Sequence, residues 1–86
     1  MNIIPVLAFR GTEKILTALR VKGRMRYSDL VDVVGFATTT TRALKAMEEA
    51  KLVTKQVMSE PYRPVVYSLT EKGKKVSELV AELEKL

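Results

Sequence analysis

The chain has 86 residues, of which 47% are hydrophobic and 29% are charged, a balance that predicts one small globular domain over residues 1–86. It contains neither cysteine nor histidine, which removes disulfides, the usual zinc sites and most nucleophile–base pairs, so we expect no enzymatic activity, no bound metal and no cofactor. The net charge of +5 suits a polyanionic partner. The apolar stretch at residues 3–9 is too short to cross a membrane and lacks a secretory signal pattern, so we expect a cytoplasmic protein.

The first quarter of the chain contains an apolar segment and then a helical pattern. Pro5 argues against an early helix, so we predict a short extended or irregular segment before residue 11. Thr12 is a good N-cap, and the apolar residues that follow recur at helical spacing up to Gly23, a typical helix end. This pattern predicts a first helix from Thr12 to about Val21.

Two further helices follow a brief strand at about residues 24–27. Ser28 is a candidate N-cap for a short second helix that Gly35 ends. Thr38 is a candidate N-cap for a third helix that runs to about Ala50. Three residues at the i, i+4 and i+7 positions predict the inward face of this third helix: Thr40, Leu44 and Met47.

After residue 51 the pattern becomes typical of β-structure. β-Branched and aromatic residues flank the segment 59–64, which contains two prolines, so we predict a β-hairpin with its loop at about residues 58–65. Thr70 is the N-cap of a predicted last helix over residues 71–86. The order of elements predicts an α+β fold, mostly helical, in which two helices joined by a tight turn precede a hairpin.

Two short runs carry a family resemblance. The first comprises Leu44, Met47, Glu48, Leu52 and Val53, and the second comprises Leu69, Thr70 and Gly73. The chain resembles, over roughly residues 12–76, the winged helix-turn-helix regulators of the MarR, ArsR and PadR type, in which such runs end the recognition helix and open the helix after the wing. Lys51 stands where these proteins usually have a left-handed glycine, so we expect a left-handed lysine there. The resemblance implies a recognition helix at about residues 38–50 in the major groove and a wing at about residues 58–65 on the backbone or in the minor groove.

The third helix carries the candidate base contacts. No acidic residue lies three or four positions from Arg42, so this arginine is free to contact a guanine edge. Thr39 and Thr41 offer hydroxyls to bases or phosphates and methyls to thymine, whereas Thr38 serves first as a cap. Lys45 is a candidate phosphate contact that could instead pair with Glu49.

Other candidate DNA contacts lie outside the third helix, and each could instead be an ordinary solvated surface residue. Arg63 at the wing tip is a candidate for the backbone or a narrow minor groove. Ser28 lies at a helix N-terminus that can face a phosphate. The remaining candidates belong to the basic run at residues 20–26 and to the first wing strand: Arg24, Arg26 and Lys55.

The last helix carries an apolar stripe that suggests a second copy of the chain as a partner. Its members recur three and four residues apart: Val76, Leu79, Val80, Leu83 and Leu86. A chain this small has little material to cover the distal part of the helix, so we predict a homodimer interface at residues 71–86. The apolar N-terminal segment could contribute Ile3, Ile4 and Leu7.

The sequence thus predicts a winged helix-turn-helix over residues 11–70 followed by a dimerisation helix. The expected function is sequence-specific binding of double-stranded DNA by a homodimeric transcriptional regulator on the nucleoid. One alternative is a sequence-neutral architectural DNA-binding protein, and another is a winged helix module that binds proteins.

Overall fold

The computed structural model describes residues 3–59, 61 and 64–86; within these ranges lie five helices and one antiparallel sheet of three strands. The elements in chain order are α1 (Ile4–Leu7), α2 (Thr12–Lys22), β1 (Arg24–Arg26), α3 (Tyr27–Val34), α4 (Ala37–Glu49), β2 (Val53–Val57), β3 (Val65–Leu69) and α5 (Glu71–Glu84). This order confirms the predicted α+β winged helix.

The core is built from the apolar faces of α2, α3 and α4, with the sheet and the first half of α5 packed against them. Thr40 is fully buried in α4, where its hydroxyl donates a hydrogen bond to the Phe36 carbonyl oxygen at 2.7 Å. The largest fully buried apolar side chains are Ile15, Leu16, Leu19, Leu30, Leu44, Met47 and Leu52. The predicted inward face of the recognition helix is therefore confirmed.

The wing is the hairpin formed by β2 and β3. β3 is the central strand and pairs antiparallel with both β1 and β2. The Met58 amide donates a hydrogen bond to the Pro64 carbonyl oxygen at 3.0 Å, which extends the pairing beyond the strand ends. The loop of the hairpin therefore lies where the sequence predicted it, at about residues 58–65. Arg63 lies outside the described residues.

The two faces of the sheet differ in polarity. Tyr67 and Leu69 alternate onto the face that joins the core. Arg24 and Thr54 both lie opposite Ser68, so these three polar side chains share the other face. The hydroxyl oxygens of Thr54 and Ser68 lie 3.1 Å apart. The outer face of the sheet is thus mainly polar, with Val66 as the apolar residue that β3 contributes to it.

α2 begins at Thr12 as predicted, but the predicted N-caps at Thr12 and Ser28 are wrong by one residue and by two residues, respectively. Gly11 is the N-cap of α2, and Thr12 lies inside the helix, where its buried hydroxyl donates to the Val6 carbonyl oxygen at 3.0 Å. Arg26 is the N-cap of α3, which leaves Ser28 exposed in the first turn. Tertiary contacts, and not the local capping preference, set where these helices begin.

The predicted cap at Thr38 and the predicted irregular N-terminus are also corrected. α4 begins at Ala37 with Phe36 as its N-cap, and no side chain caps that end. Residues 4–7 form the short helix α1. Pro5 is compatible with it because proline is tolerated in a first turn, where its missing N–H has no helical acceptor.

The first turn of α5 packs against the backbone that joins α4 to β2. Lys51 has φ +62°, which confirms the left-handed lysine. The Thr70 hydroxyl donates to the Lys51 carbonyl oxygen at 2.6 Å and accepts from the Gly73 amide at 3.0 Å, which confirms Thr70 as the N-cap. The Thr70 amide donates to the Leu52 carbonyl oxygen at 3.0 Å. The Lys72 ammonium donates to the Ala50 carbonyl oxygen at 3.0 Å, next to the end of α4.

Gly73 allows this close approach, because a Cβ atom at position 73 would overlap the Leu52 carbonyl group. In an ordinary helix Gly→Ala stabilises by about 1 kcal/mol. We predict instead that Gly73→Ala lowers the free energy of unfolding by about 2 kcal/mol, the usual cost of overpacking, as measured by urea denaturation.

The matched control is Gly23→Ala. A Cβ at Gly23 meets no atom within 4 Å, so only its φ of +88° opposes the change, and we expect a loss of about 1 kcal/mol. If Gly73→Ala proved as stable as the wild type, the close packing of α5 on Leu52 would be refuted.

Candidate nucleic-acid interface

The face of α4 opposite the core is polar and solvent-exposed. Because Thr40 and Leu44 are buried, the helix turns Thr38, Thr41 and Arg42 outward. Lys45 continues this exposed face one turn further on. The exposed face therefore presents hydroxyls and positive charge without an acidic side chain in its first two turns.

Arg42 and Lys45 lack protein partners among the described residues. Among the described residues the ion pair found is on α5, where Lys74 lies 3.4 Å from Glu71. The possible pairing of Lys45 with Glu49 does not form. No hydrogen bond connects the Arg42 guanidinium to another described residue. Both cations are therefore available to an external anion.

Thr41 is held by a tyrosine from the preceding helix. Its hydroxyl oxygen lies 2.7 Å from the Tyr27 hydroxyl oxygen, and the Tyr27 hydroxyl also donates to the Ala37 carbonyl oxygen at 3.4 Å. The sequence analysis missed Tyr27, because only the packing of α3 across the start of α4 brings its side chain to Thr41.

Thr39 differs from its neighbours because it is half-buried beside a cleft. A methyl group placed on Gly11 would lie 3.5 Å from its Cγ2 atom. The cleft has a volume of about 610 Å³ and includes exposed Phe36 and two cations, Arg10 and Lys14. The sequence analysis missed both cations, since they precede the helix-turn-helix and follow no motif.

A second cleft, which we call the β1–α3 cleft, brings three predicted phosphate contacts together. It has a volume of about 360 Å³. Arg26 reaches it from the end of β1, Ser28 from the first turn of α3, and Lys55 from β2. The other residues that line it are Tyr27, Pro64, Val65 and Tyr67. Two basic residues thus border the cleft near a helix start, although the strand register pairs Arg26 with Val66 and Lys55 with Tyr67, on opposite faces of the sheet.

Two other sequence candidates lie apart from this cleft or outside the structure. Arg24 is exposed on the outer face of the sheet opposite Ser68. Arg63 lies outside the described residues, so its role at the wing tip stays a prediction.

The apolar stripe of α5 divides into a buried part and an exposed part. Val76 is only 6% exposed and belongs to the core of its own domain, which leaves it little surface for a partner, and Val80 is half-buried. Leu79, Leu83 and Leu86 are 52%, 64% and 101% exposed. These three leucines are referred to below as the α5 face.

The N-terminal residues lie beside the α5 face. Leu7 joins Leu16, Val80 and Leu83 in lining a groove of about 310 Å³. Ile3 and Leu7 are half-buried, whereas Ile4 is 64% exposed. Leu7 of α1 and the distal part of α5 thus share an apolar groove, which Glu13 and Glu84 border.

The fold and the exposed recognition helix define a winged helix-turn-helix transcriptional regulator. The chain belongs to the HxlR-like helix-turn-helix family, whose model matches residues 6–86. The predicted membership of the winged helix superfamily is therefore confirmed, with HxlR as the particular family. Membership implies a DNA-binding regulator of transcription and not an enzyme.

Solved structures of regulators share the fold. The transcriptional regulator YtfH from Salmonella typhimurium is 30% identical to this chain. The two structures match with a TM-score of 0.85 over 96% of this chain and 75% of that one. The reduced form of the transcriptional regulator YodB from B. subtilis is 25% identical with a TM-score of 0.80 over 94% and 80% of the two chains. ZitR from Lactococcus lactis in apo form is 25% identical with a TM-score of 0.76 over 87% and 57%. No curated protein sequence matches the chain.

None of the helices in the described ranges combines the length and apolar character needed to span a membrane.

Tyr67 lies at the base of the β1–α3 cleft, and burial raises the pKa of its hydroxyl above the ordinary value of 10.0. The negative charge of Glu48 and the neighbouring Tyr27 raise this pKa further. Above pH 10 the unfolded chain therefore binds fewer protons at this residue than the folded chain, so the stabilisation is complete below pH 10 and is lost as the pH rises through the folded pKa.

We predict that the urea midpoint of the wild type falls more steeply above pH 10 than that of Tyr67→Phe. Phenylalanine is a suitable comparison because the Tyr67 hydroxyl makes no hydrogen bond to a described residue. The two proteins share every other titratable group, so the difference between the two curves isolates the tyrosine. Parallel curves would show that Tyr67 is not shielded from water.

Proposed function

We propose that this protein is a homodimeric, sequence-specific DNA-binding regulator that acts in the cytoplasm on the nucleoid. The observation that carries the proposal is the exposed face of α4, where an unpaired Arg42 follows a run of threonines on a helix whose other face is locked into the core. Such a helix presents a rigid set of donors to base edges in a major groove.

Base contacts are proposed for Arg42 and the threonines near it. Arginine donates two parallel hydrogen bonds to guanine, and Thr41 offers a hydroxyl and a methyl group from the same exposed face. Thr38 is equally exposed, whereas half-buried Thr39 reaches DNA only at the edge of the helix. Lys45 continues the face and suits a phosphate.

Phosphate contacts are proposed for the β1–α3 cleft. Arg26 and Lys55 supply charge, and Ser28 supplies a hydroxyl and a free amide from the first turn of α3. Arg24, on the outer face of the sheet, is a further proposed phosphate contact, and Arg63 is proposed from the sequence alone. These contacts position the protein without reading sequence, and they make binding depend strongly on salt.

Dimerisation is proposed through the α5 face and α1. Three exposed leucines on one helix face, with Leu7 of α1 lining a groove beside Leu83, form an apolar region that a second copy would remove from water. A twofold dimer would place two α4 helices in successive major grooves about 34 Å apart.

The first test is selection of bound fragments from a random duplex pool at near-physiological salt. We expect an enriched inverted repeat with half-sites about one helical turn apart. Retention without enrichment would assign the protein to the architectural class. No retention even at low salt would refute both DNA-binding functions and favour a protein-interaction module.

Arg42→Ala tests the base contact. We predict a loss of affinity for the selected site of about 5- to 100-fold, with relaxed preference at one base pair of each half-site, measured by fluorescence anisotropy. The matched control is Arg20→Ala, which removes the same charge from an exposed position near the end of α2. An equal loss in the two variants would show that Arg42 contributes only charge.

Leu83→Glu tests the dimer. A carboxylate on the α5 face would have to be buried in the interface, so we predict that the variant sediments as a monomer. We also predict that it loses cooperative binding to the inverted repeat but still binds a single half-site weakly. The matched control is Val21→Glu, because Val21 is 71% exposed on α2, outside the α5 face. A wild type that sediments as a monomer would refute the proposed interface.

A further inference from the structure

The Tyr27 hydroxyl contacts the exposed side of the recognition helix. Tyr27 is the first residue of α3, immediately after β1, and its side chain is half-buried. Its hydroxyl oxygen lies 2.7 Å from that of Thr41. This distance is typical of a strong O–H···O hydrogen bond.

A threonine inside a helix usually has a different partner. Its hydroxyl can donate to the carbonyl oxygen four residues earlier, and Thr40 does this, at 2.7 Å from the Phe36 carbonyl oxygen. The corresponding acceptor for Thr41 is the Ala37 carbonyl oxygen. That oxygen instead receives the Tyr27 hydroxyl, at 3.4 Å.

Tyr27 thus takes the place of the local acceptor of Thr41. The tyrosine hydroxyl has one hydrogen, so it donates either to the Ala37 carbonyl oxygen, with Thr41 as the donor across the 2.7 Å contact, or to Thr41 itself. In both arrangements one bonding direction of the Thr41 hydroxyl is committed to Tyr27. The contact restrains the χ1 rotamer of Thr41, and the other bonding directions of its hydroxyl are left for an external group.

We infer that Tyr27 is a positioning residue for DNA recognition, which sets the hydroxyl of Thr41 toward a base edge. This inference rests on the proposed function, because it assigns Thr41 a place in the base contacts. Tyr27 itself need not touch a base, since it acts through Thr41.

The same residue joins the two parts of the proposed interface. Tyr27 lines the β1–α3 cleft beside Arg26, Ser28 and Lys55, and its hydroxyl reaches the exposed face of α4. A phosphate in the cleft and a base at Thr41 are therefore contacted by neighbouring parts of one rigid unit. The register of the backbone contact fixes which base pair Thr41 meets.

The test combines a measurement on the free protein with a measurement on DNA. Three-bond couplings from the Thr41 methyl carbon report its χ1 angle in the full chain without DNA. Selection from a random duplex pool then gives base preferences for the wild type, Tyr27→Phe, Thr41→Val and the double variant. Thr41→Val keeps the β-branched shape and removes only the hydroxyl.

We expect one Thr41 rotamer in the wild type and a changed or averaged rotamer in Tyr27→Phe, whose Thr41 hydroxyl is free to donate to Ala37. We expect Tyr27→Phe to lower selectivity at one base pair of each half-site by about three- to tenfold, the effect of one hydrogen bond. Tyr27→Phe should change nothing further in the Thr41→Val background. The salt dependence of binding and the melting temperature of Tyr27→Phe should stay as in the wild type. If Tyr27 had a merely structural role, the substitution would change them.

An unchanged Thr41 rotamer in Tyr27→Phe overturns the positioning role. An equal loss of selectivity in the wild-type and Thr41→Val backgrounds also overturns it, because Tyr27 would then act independently of Thr41. If the wild type selects no sequence at all, the proposed function fails, and the rotamer measured in the free protein alone decides whether Tyr27 positions Thr41.

Discussion

The contact between the first turn of α5 and the backbone of Leu52 is the constraint on which the rest of the structure depends. It exists because Gly73 has no side chain and because Thr70 binds the Lys51 carbonyl oxygen and the Gly73 amide with one hydroxyl. Through this junction the end of α4, the start of β2 and the start of α5 form one hydrogen-bonded unit. The angle of the recognition helix to the wing is therefore set by backbone contacts, which shift little when surface side chains change.

The polar face of α4 follows from this arrangement. Once Thr40 and Leu44 are buried, the helical period requires Thr41 and Arg42 to point outward. Tyr27 adds a second fixed point, because it crosses from the start of α3 to the start of α4. Both ends of α4 are thus held by neighbouring elements, which leaves the exposed face rigid without any ion pair along it. Rigid donors lose less conformational entropy on binding than flexible ones.

The sequence was sufficient for the order of elements from α2 onward, because most of these elements have a clear period and several are bounded by a glycine or a proline. It did not predict α1, because Pro5 argued against an early helix. It was insufficient for the N-caps, which were predicted at Thr12, Ser28 and Thr38, because capping preferences of about 1 kcal/mol compete there with larger packing terms. It also could not reveal the Tyr27–Thr41 hydrogen bond or the meeting of Arg26, Ser28 and Lys55, since residues far apart in the chain come together only through tertiary packing.

The division of α5 links any dimer to the recognition helix. Its first half is immobilised in the protomer: Gly73 and Val76 are buried, and the Ser77 hydroxyl donates to the Leu16 carbonyl oxygen at 3.3 Å. Only its second half is free for a partner. If two copies pair through the α5 face, the path from one recognition helix to the other runs through a helix anchored at the Lys51–Thr70 junction. No flexible linker lies on that path, so a dimer of this kind would tolerate only a narrow range of half-site spacings.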